Sequence, residues 1–475
     1  MSPRKVVILG YGMAGARLAD EIRHRDPDGS RVMLTVLGEE PHHAYNRVLL
    51  SAVVAGTMRP ETVRLHDEGW AGKTGVDLRV GTRVTSIDRA VRQVVLADES
   101  TVDYDVLVLA TGSRPWLPPV EGLELGADVV AFRTLDDCDR ILEAAKFGAP
   151  VAVLGGGLLG LEAARGLAGR GNFVTVVHPL PTIMERQLDP GASQVLVRSL
   201  EKLGIDFRLG ASAARYLPGD GLKLDDGSHV PADLVVVSAG VRADTTLAVE
   251  AGLQVDRGVL VDDALRTSDG RIHAIGDCAQ HPGTISGLVQ PAWDQAETLA
   301  DLLTGTDMRA RYRGTSVVTR LKARDIDLAS LGEVGAEVGA QGSEVLCFAD
   351  PSGGRYAKLV VRKDKVAGAI VLGIPDAAAN ITQLYDRGTP MPADRLSVLL
   401  GRSLPGAATP ASSPADLPAA AVVCRCNTVT KGRLVEAWKS GACSVAELAT
   451  ATRATTGCGG CGDAVRGIAE WLGAQ

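Results

Sequence analysis

One glycine turn occurs twice in this chain, and the repeat constrains the fold more than any other feature. Gly10-Tyr11-Gly12-Met13-Ala14-Gly15 follows the apolar run Lys5–Leu9 and opens Ala14–Arg25, where Leu18 and Ile22 stand at helical spacing. Val32–Leu37 is apolar again, which completes a strand–turn–helix–strand unit. Gly155-Gly156-Gly157-Leu158-Leu159-Gly160 repeats the arrangement after Val151–Leu154, with a helix predicted over Leu161–Arg170 and a return strand over Phe173–Val177. In such a turn the first glycine permits the bend and the second lets backbone approach a pyrophosphate. The third lets helix pack on strand, and the helix N-terminus takes the phosphate charge. Two copies predict an α/β protein with two Rossmann-like dinucleotide-binding domains.

The residues just beyond each unit refine the expectation. Glu39 lies at the end of the second strand, where an acid accepts hydrogen bonds from both ribose hydroxyls of an adenosine; Glu40 is the alternative. In the second unit the strand ends at His178, so no carboxylate repels a 2′-phosphate and both NADH and NADPH are admissible. Arg186 either faces such a phosphate or is a solvated loop arginine. Each unit closes with a buried strand running into small residues: Val106–Leu109 into Ala110-Thr111-Gly112-Ser113, and Asp233–Val237 into Ser238-Ala239-Gly240.

Composition narrows the partners. With 55 glycines and only 4% aromatics, binding is led by backbone and not by base stacking. A net charge of −7 gives no global attraction for nucleic acid or anionic lipid. No apolar run approaches the ~18 residues of a membrane span, and Val6–Leu9 is too short for a signal-peptide core, so a cytoplasmic protein is expected.

The 475 residues divide into an outer dinucleotide unit (1–114 and 241–312) and an inserted one (115–240). A small α+β domain (313–400) comes next, with strands such as Lys358–Val361 and Val366–Val371. Residues 401–421, rich in Pro, Ala and Ser, read as a linker, and 422–475 as a cysteine-bounded tail with helices over Lys431–Trp438 and Ser444–Thr450. That tail holds Cys424-Arg425-Cys426 and Cys458-Gly459-Gly460-Cys461, with 31 residues between the pairs. Four thiolates ligate zinc or a [2Fe–2S] cluster, and the surrounding glycines let backbone N–H groups point at sulfur. The scattered Cys138, Cys278, Cys347 and Cys443 are expected to be small buried residues.

Two dinucleotide turns, Ala110-Thr111-Gly112-Ser113, and Ala274-Ile275-Gly276-Asp277 together resemble the two-dinucleotide-binding-domain flavoprotein reductases, over about residues 4–310. The resemblance implies FAD in the first unit, NAD(P)H in the second, and a ribityl hydroxyl bound by Asp277. Ala44-Tyr45-Asn46-Arg47-Val48-Leu49-Leu50-Ser51 is similar to the flavin-contacting segment of reductases that feed rubredoxins, ferredoxins and nitrite or nitrate reductases. It implies flavin contact at Arg47 and Ser51. Relatives often carry a lysine next, paired with a glutamate; here Ala52 stands in its place, although Glu162 is present. Glu162 is the side chain expected to border nicotinamide–flavin stacking. Gly287–Ala296 resembles the helix start beneath the flavin, bringing in Gln295 and Trp293, the latter equally a core tryptophan. Residues 35–60 contain no cysteine, so the flavin has no thiol partner in the family's usual places.

Residues 422–472 resemble the bacterioferritin-associated-ferredoxin-like [2Fe–2S] domain, and the cluster is favoured over zinc, because a redox-inert metal would add little beside a flavin. Nicotinamide delivers two electrons as hydride, the cluster accepts one, and flavin exchanges both. The expected order is NAD(P)H, FAD, [2Fe–2S], external acceptor. Leu321-Lys322-Ala323 and Asp327–Gly332 look like the start of the reductase C-terminal domain. The whole arrangement resembles the electron-transfer subunit of assimilatory nitrate reductase and the N-terminal half of the NADH-dependent nitrite reductase large subunit. The resemblance implies a separate molybdenum-containing nitrate reductase catalytic subunit as partner, because the chain ends soon after the cysteines, before any sirohaem-type segment. A rubredoxin or ferredoxin reductase, a nitrite reductase component, and a ferritin-docking module for iron release are the alternatives.

Overall fold

The computed structural model describes residues 2–321, 323, 325–339, 341–401, 414–424, 427, 429–456 and 461–474. Most of the linker, together with Arg425, Cys426, Cys458, Gly459 and Gly460, therefore lies outside the described residues.

Two parallel sheets organise the fold. The first has the order Ile272–Ala274, Val106–Leu109, Arg4–Leu9, Val32–Leu37, Asp77–Arg79. The second has the order Ile205–Leu209, Phe173–His178, Pro150–Leu154, Leu234–Val237, Val129–Ala131. Every pairing in both is parallel. Parallel sheets are covered on both faces, which is why Val106–Leu109 and Leu234–Val237 are unbroken apolar runs with all four residues buried. Helix α1 (Met13–Arg25) and helix α2 (Leu158–Gly169) are the crossovers after the two glycine turns. Helix α2 starts three residues before the expected Leu161, because extended Gly157 already serves as its N-cap. The first-turn N–H groups of Leu158 and Leu159 are thereby left for a ligand. Helix α3 (Val289–Thr304) lies beside α1, with Leu299, Ala300 and Leu303 in one core with Leu18 and Ile22.

The chain crosses between the two sheet units through an antiparallel ribbon, Ser113–Pro115 against Val241–Ala243. Beyond α3, an antiparallel sheet runs in the order Val318–Leu321, Leu328–Gly332, Lys365–Leu372, Arg355–Arg362, Glu344–Asp350, backed by a helix over Pro375–Arg387. Cys347 departs from the sequence expectation: it is exposed, because Glu344–Asp350 is an edge strand with an open face. Cys443 is exposed in the turn before Ser444, whereas Cys138 and Cys278 are buried as expected.

The tail is helical. A short hairpin, Val422–Cys424 with Val429–Thr430, precedes α4 (Lys431–Lys439), α5 (Val445–Thr452) and α6 (Gly462–Gly473). Thr430 caps α4 by accepting from Arg433 N–H, and Ser444 caps α5 by accepting from Glu447 N–H. Cys424 and Cys461 lie in its core with Val429, Leu434, Leu448 and Val465. No helix among the described residues is long and apolar enough to cross a membrane.

Candidate functional site

Open parallel sheets bind ligands outside the carboxyl ends of their strands. Here one cavity of about 2830 Å³ runs along the carboxyl ends of both sheets and reaches the helical tail. Its wall includes Gly10, Gly12, Met13, Ala14, Ala110, Thr111, Gly112, Gly276 and Asp277 from the first sheet unit. Gly155, Gly157, Leu158, Leu159, His178, Arg186 and Gly240 line it from the second, and Cys461 from the tail.

The two turns are built alike. Gly10 has φ +110°, and a Cβ there would fall 2.2 Å from the Ala110 carbonyl oxygen. Gly155 has φ +121°, and its Cβ would fall 2.3 Å from the Ser238 carbonyl oxygen. Each turn is thus pressed onto the end of the neighbouring strand, while the next glycine faces open space: nothing lies within 4 Å of a Cβ at Gly157, and only Arg47, at 3.9 Å, near one at Gly12. Two such cradles on helix N-termini, in a cavity large enough for two extended ligands, fit two dinucleotides. Gly15 and Gly160 do not reach the wall. Their Cβ positions are blocked by the Gly10 and Gly155 carbonyl oxygens at 1.9 and 2.2 Å, the close helix–strand contact expected of the third glycine.

The acids beyond the first unit differ in what holds them. Glu39 is exposed on the cavity wall, with Arg83 Nε at 3.6 Å. Glu40 is engaged: it accepts from the Tyr45 hydroxyl at 2.6 Å and pairs with Arg47. Burial, with the Glu40 charge adding to it, pushes the Tyr45 phenol above its usual range, so Tyr45 stays a donor. Arg47 lies over the Tyr45 ring and donates to the Arg133 carbonyl at 3.2 Å. Asp277, in the turn Gly276–Cys278, accepts from Arg133 at 2.7 Å and from Ser113 at 2.9 Å. Arg133 carried no motif in the sequence; it reaches Asp277 only because the second sheet unit folds against the first.

Glu162 is buried in the first turns of α2 and accepts from the Ser51 hydroxyl at 2.7 Å. Ser51 itself sits behind the cavity wall. Trp293 and Gln295 do as well: Trp293 is 2% exposed, packs with Met13 and Ala292 and donates to the Met13 carbonyl. Gln295 accepts the Gly276 N–H at 2.7 Å, so it holds the turn that presents Asp277. In the second unit His178 Nδ1 accepts from Gly156 N–H at 3.1 Å, which leaves Nε2 facing Glu185 at 3.5 Å. Arg186 is exposed on the wall. Among the described residues, Cys461 is the cysteine on this wall, and burial pushes the Cys138 thiol up to about 12 and raises that of Cys278.

In the tail the described half of the cysteine set suits a cluster. Cys424 and Cys461 are both buried, and Asn427 Nδ2 donates toward Cys424 Sγ at 3.6 Å, a partner that a thiolate accepts. Fold and site together define a two-dinucleotide-binding protein with a cysteine-bearing helical domain at one end of its cavity.

The chain belongs to the pyridine nucleotide-disulphide oxidoreductase family, whose model matches residues 4–296. The rubredoxin NAD⁺ reductase C-terminal domain matches 318–389 and the BFD-like [2Fe–2S] binding domain matches 422–471. The chain is 34% identical to a nitrite reductase [NAD(P)H] of Bacillus subtilis, over 99% of this chain and 58% of that protein. It is also 34% identical to the assimilatory nitrate reductase electron transfer subunit of the same organism, over 99% and 60%. It thus spans about 60% of those relatives' length. A rubredoxin-NAD⁺ reductase of Alcanivorax borkumensis is 35% identical over 72% of this chain and 90% of that protein. Among solved structures, the covalent putidaredoxin reductase–putidaredoxin complex superposes with a TM-score of 0.73 at 27% identity, covering 82% of this chain and 94% of that one. The chain thus joins an FAD- and NAD(P)H-dependent oxidoreductase unit to a [2Fe–2S] binding domain.

Proposed function

We propose that this chain is the electron-donating component of nitrogen-oxyanion assimilation, delivering NAD(P)H electrons to a separate molybdenum-containing nitrate reductase subunit. The observation that carries this reading is the match to the nitrate reductase electron transfer subunit across 99% of the chain, cluster domain included. The nitrite reductase match is as strong, so reduction of nitrite by a further domain or partner is the second reading.

Bound flavin supplies the exchange between two-electron hydride chemistry and one-electron cluster chemistry. The chain's residues do the rest. Residues 1–114 with 241–312 form the FAD unit and 115–240 the NAD(P) unit. Gly10–Gly15 and Gly155–Gly160 seat the two pyrophosphates, and Glu39 accepts the adenosine ribose hydroxyls. The Arg133–Asp277–Ser113 group presents the Asp277 carboxylate to the ribityl chain. Glu162, steadied by Ser51, lines the cavity beside the second glycine turn and would border the nicotinamide and flavin there. Hydride transfer needs no protein base, so these groups position and exclude water; Cys424, Cys426, Cys458 and Cys461 hold the cluster.

The test is reconstitution of the purified, cluster-loaded chain with NADH and either a molybdenum nitrate reductase catalytic subunit, a nitrite-reducing sirohaem protein, or a rubredoxin. NADH-dependent nitrate loss only with the molybdenum subunit supports the proposal. Turnover only with the sirohaem protein or the rubredoxin overturns it in favour of that acceptor.

A further inference from the structure

The face of α1 turned away from the sheet is charged, yet it is not solvated. Arg17 and Glu21 are 8% and 7% exposed. Burying charges costs several kcal/mol unless each is paired. Arg17 and Glu21 pair with each other, Arg17 also with Glu297 and Glu21 with Arg25, and the helical tail adds a further partner to each. Arg17 donates to the Asn427 side-chain oxygen at 2.7 Å. Arg453 donates to Glu21 at 2.7 Å and lies 3.7 Å from Asp20. Asn46 donates to the Thr456 carbonyl at 2.6 Å. These contacts join residues more than 400 positions apart.

The tail residues involved flank its cysteines. Asn427 lies three residues beyond Cys424, and its amide nitrogen points at the Cys424 sulfur. Arg17 thus touches the cluster's surroundings through one intervening side chain, while its guanidinium stands 5.0 Å over the Trp293 ring, beside the flavin cradle. The cavity that seats the dinucleotides also opens onto Cys461.

Arg453 carries a conformational signature of this contact. It ends α5 at φ +61°, a left-handed cap where glycine is favoured and another residue costs about 1 kcal/mol. Local structure alone would select glycine. The arginine's fork instead reaches Glu21 and Asp20. Asp20 is a fixed anchor: it accepts from His66 at 2.9 Å and from Trp70 at 3.0 Å. Burial works against its charge, but the His66 and Arg453 interactions win and hold the carboxyl below its usual range. His66 in turn meets the Tyr11 hydroxyl at 2.6 Å, inside the first glycine turn.

We infer that the polar face of α1 is a docking cradle that holds the [2Fe–2S] domain in its electron-accepting pose. Arg453 is the latch, and Arg17 is a positioning residue that acts on the cluster through Asn427. Each NAD(P)H gives a hydride, two electrons and one proton; the electrons leave in two successive one-electron reductions of the cluster, which the external acceptor reoxidises in between, and the proton leaves to solvent. The inference rests on the internal FAD–[2Fe–2S] relay and is independent of the external acceptor.

The test uses the full, cofactor-loaded chain in anaerobic stopped flow with NADH alone. Arg453→Gly relieves the left-handed strain and removes the latch. It is expected to leave flavin bleaching within twofold of the parent, to slow cluster reduction at least tenfold, and to raise hydrogen exchange across 13–25 and 429–456. Arg453→Lys restores part of the rate. Arg17→Gln is expected to lower the cluster midpoint potential, because a positive charge and the amide it orients favour the more negative reduced cluster. Parent-like cluster reduction and exchange in Arg453→Gly overturn the inference. Loss of cluster absorbance in that variant overturns it too, since Arg453 would then support the tail and not its docking. NADH-driven flavin bleaching in the parent reports separately on the functional reading.

Discussion

Alanine at Gly155 and at Gly10 should separate the two halves of the enzyme. Both sites have positive φ outside the region that alanine tolerates, and both added methyls would lie within 2.3 Å of a strand-end carbonyl oxygen. Backbone strain of this kind costs about 1–3 kcal/mol, and relieving the overlap must tilt the turn away from its neighbouring strand. If roughly 2–4 kcal/mol of this falls on the bound state, the dinucleotide at that turn weakens by roughly 30- to 900-fold. Gly155→Ala is then expected to purify yellow, with FAD content equal to the parent. Dithionite should bleach it normally, whereas NADH should bleach it only at concentrations raised by that factor. Gly10→Ala is expected to purify depleted of FAD. The assay is flavin absorbance at purification, followed by NADH titration in anaerobic stopped flow. If Gly155→Ala lost the flavin while Gly10→Ala kept it, the assignment of the two turns would be reversed. If both behaved as the parent, the pyrophosphates would not lie on these turns.

Other residues give further expected outcomes. Glu39→Gln is expected to weaken FAD retention roughly tenfold, the worth of a charge-assisted hydrogen bond, in equilibrium dialysis. Glu40→Gln should act instead through the freed Arg47 and change the flavin spectrum more than its affinity. Cys424→Ser is expected to lose the cluster's iron and visible absorption while NADH still bleaches the flavin, checked by iron analysis beside the stopped-flow trace. His273 is buried, and burial lowers its pKa from 6.5 to about 4. The unfolded chain therefore takes up a proton at this residue that the folded chain refuses. Its stabilising effect is intact above pH 6.5 and is lost as pH falls through about 4, a decline of about 3 kcal/mol. Urea unfolding from pH 7.5 to 4 should show that slope in the parent and a shallower one in His273→Gln. Equal slopes would mean that His273 is already protonated in the folded state.

What the sequence determined by itself was what short-range physics sets. Gly10-Tyr11-Gly12 and Gly155-Gly156-Gly157 announce their turns because bend, phosphate approach and helix start all lie within six residues. The strands Val106–Leu109 and Leu234–Val237 are legible because burial on both faces demands unbroken apolar runs. The crowded thiols mark a metal site because metal coordination needs several soft ligands at one point. Tertiary structure alone decided how these parts meet. It set Glu40 on Arg47 and Tyr45 and left Glu39 open, a distinction between adjacent identical residues that no local pattern holds. It brought Arg133 to Asp277, and it placed Trp293 and Gln295 behind the cavity instead of on it. It also buried the charged Arg17 and Glu21 of α1 against a domain more than 400 residues away. The reason is common to all of these: a polar side chain prefers water unless partners replace it, and those partners come from segments distant in sequence that only the folded chain brings together.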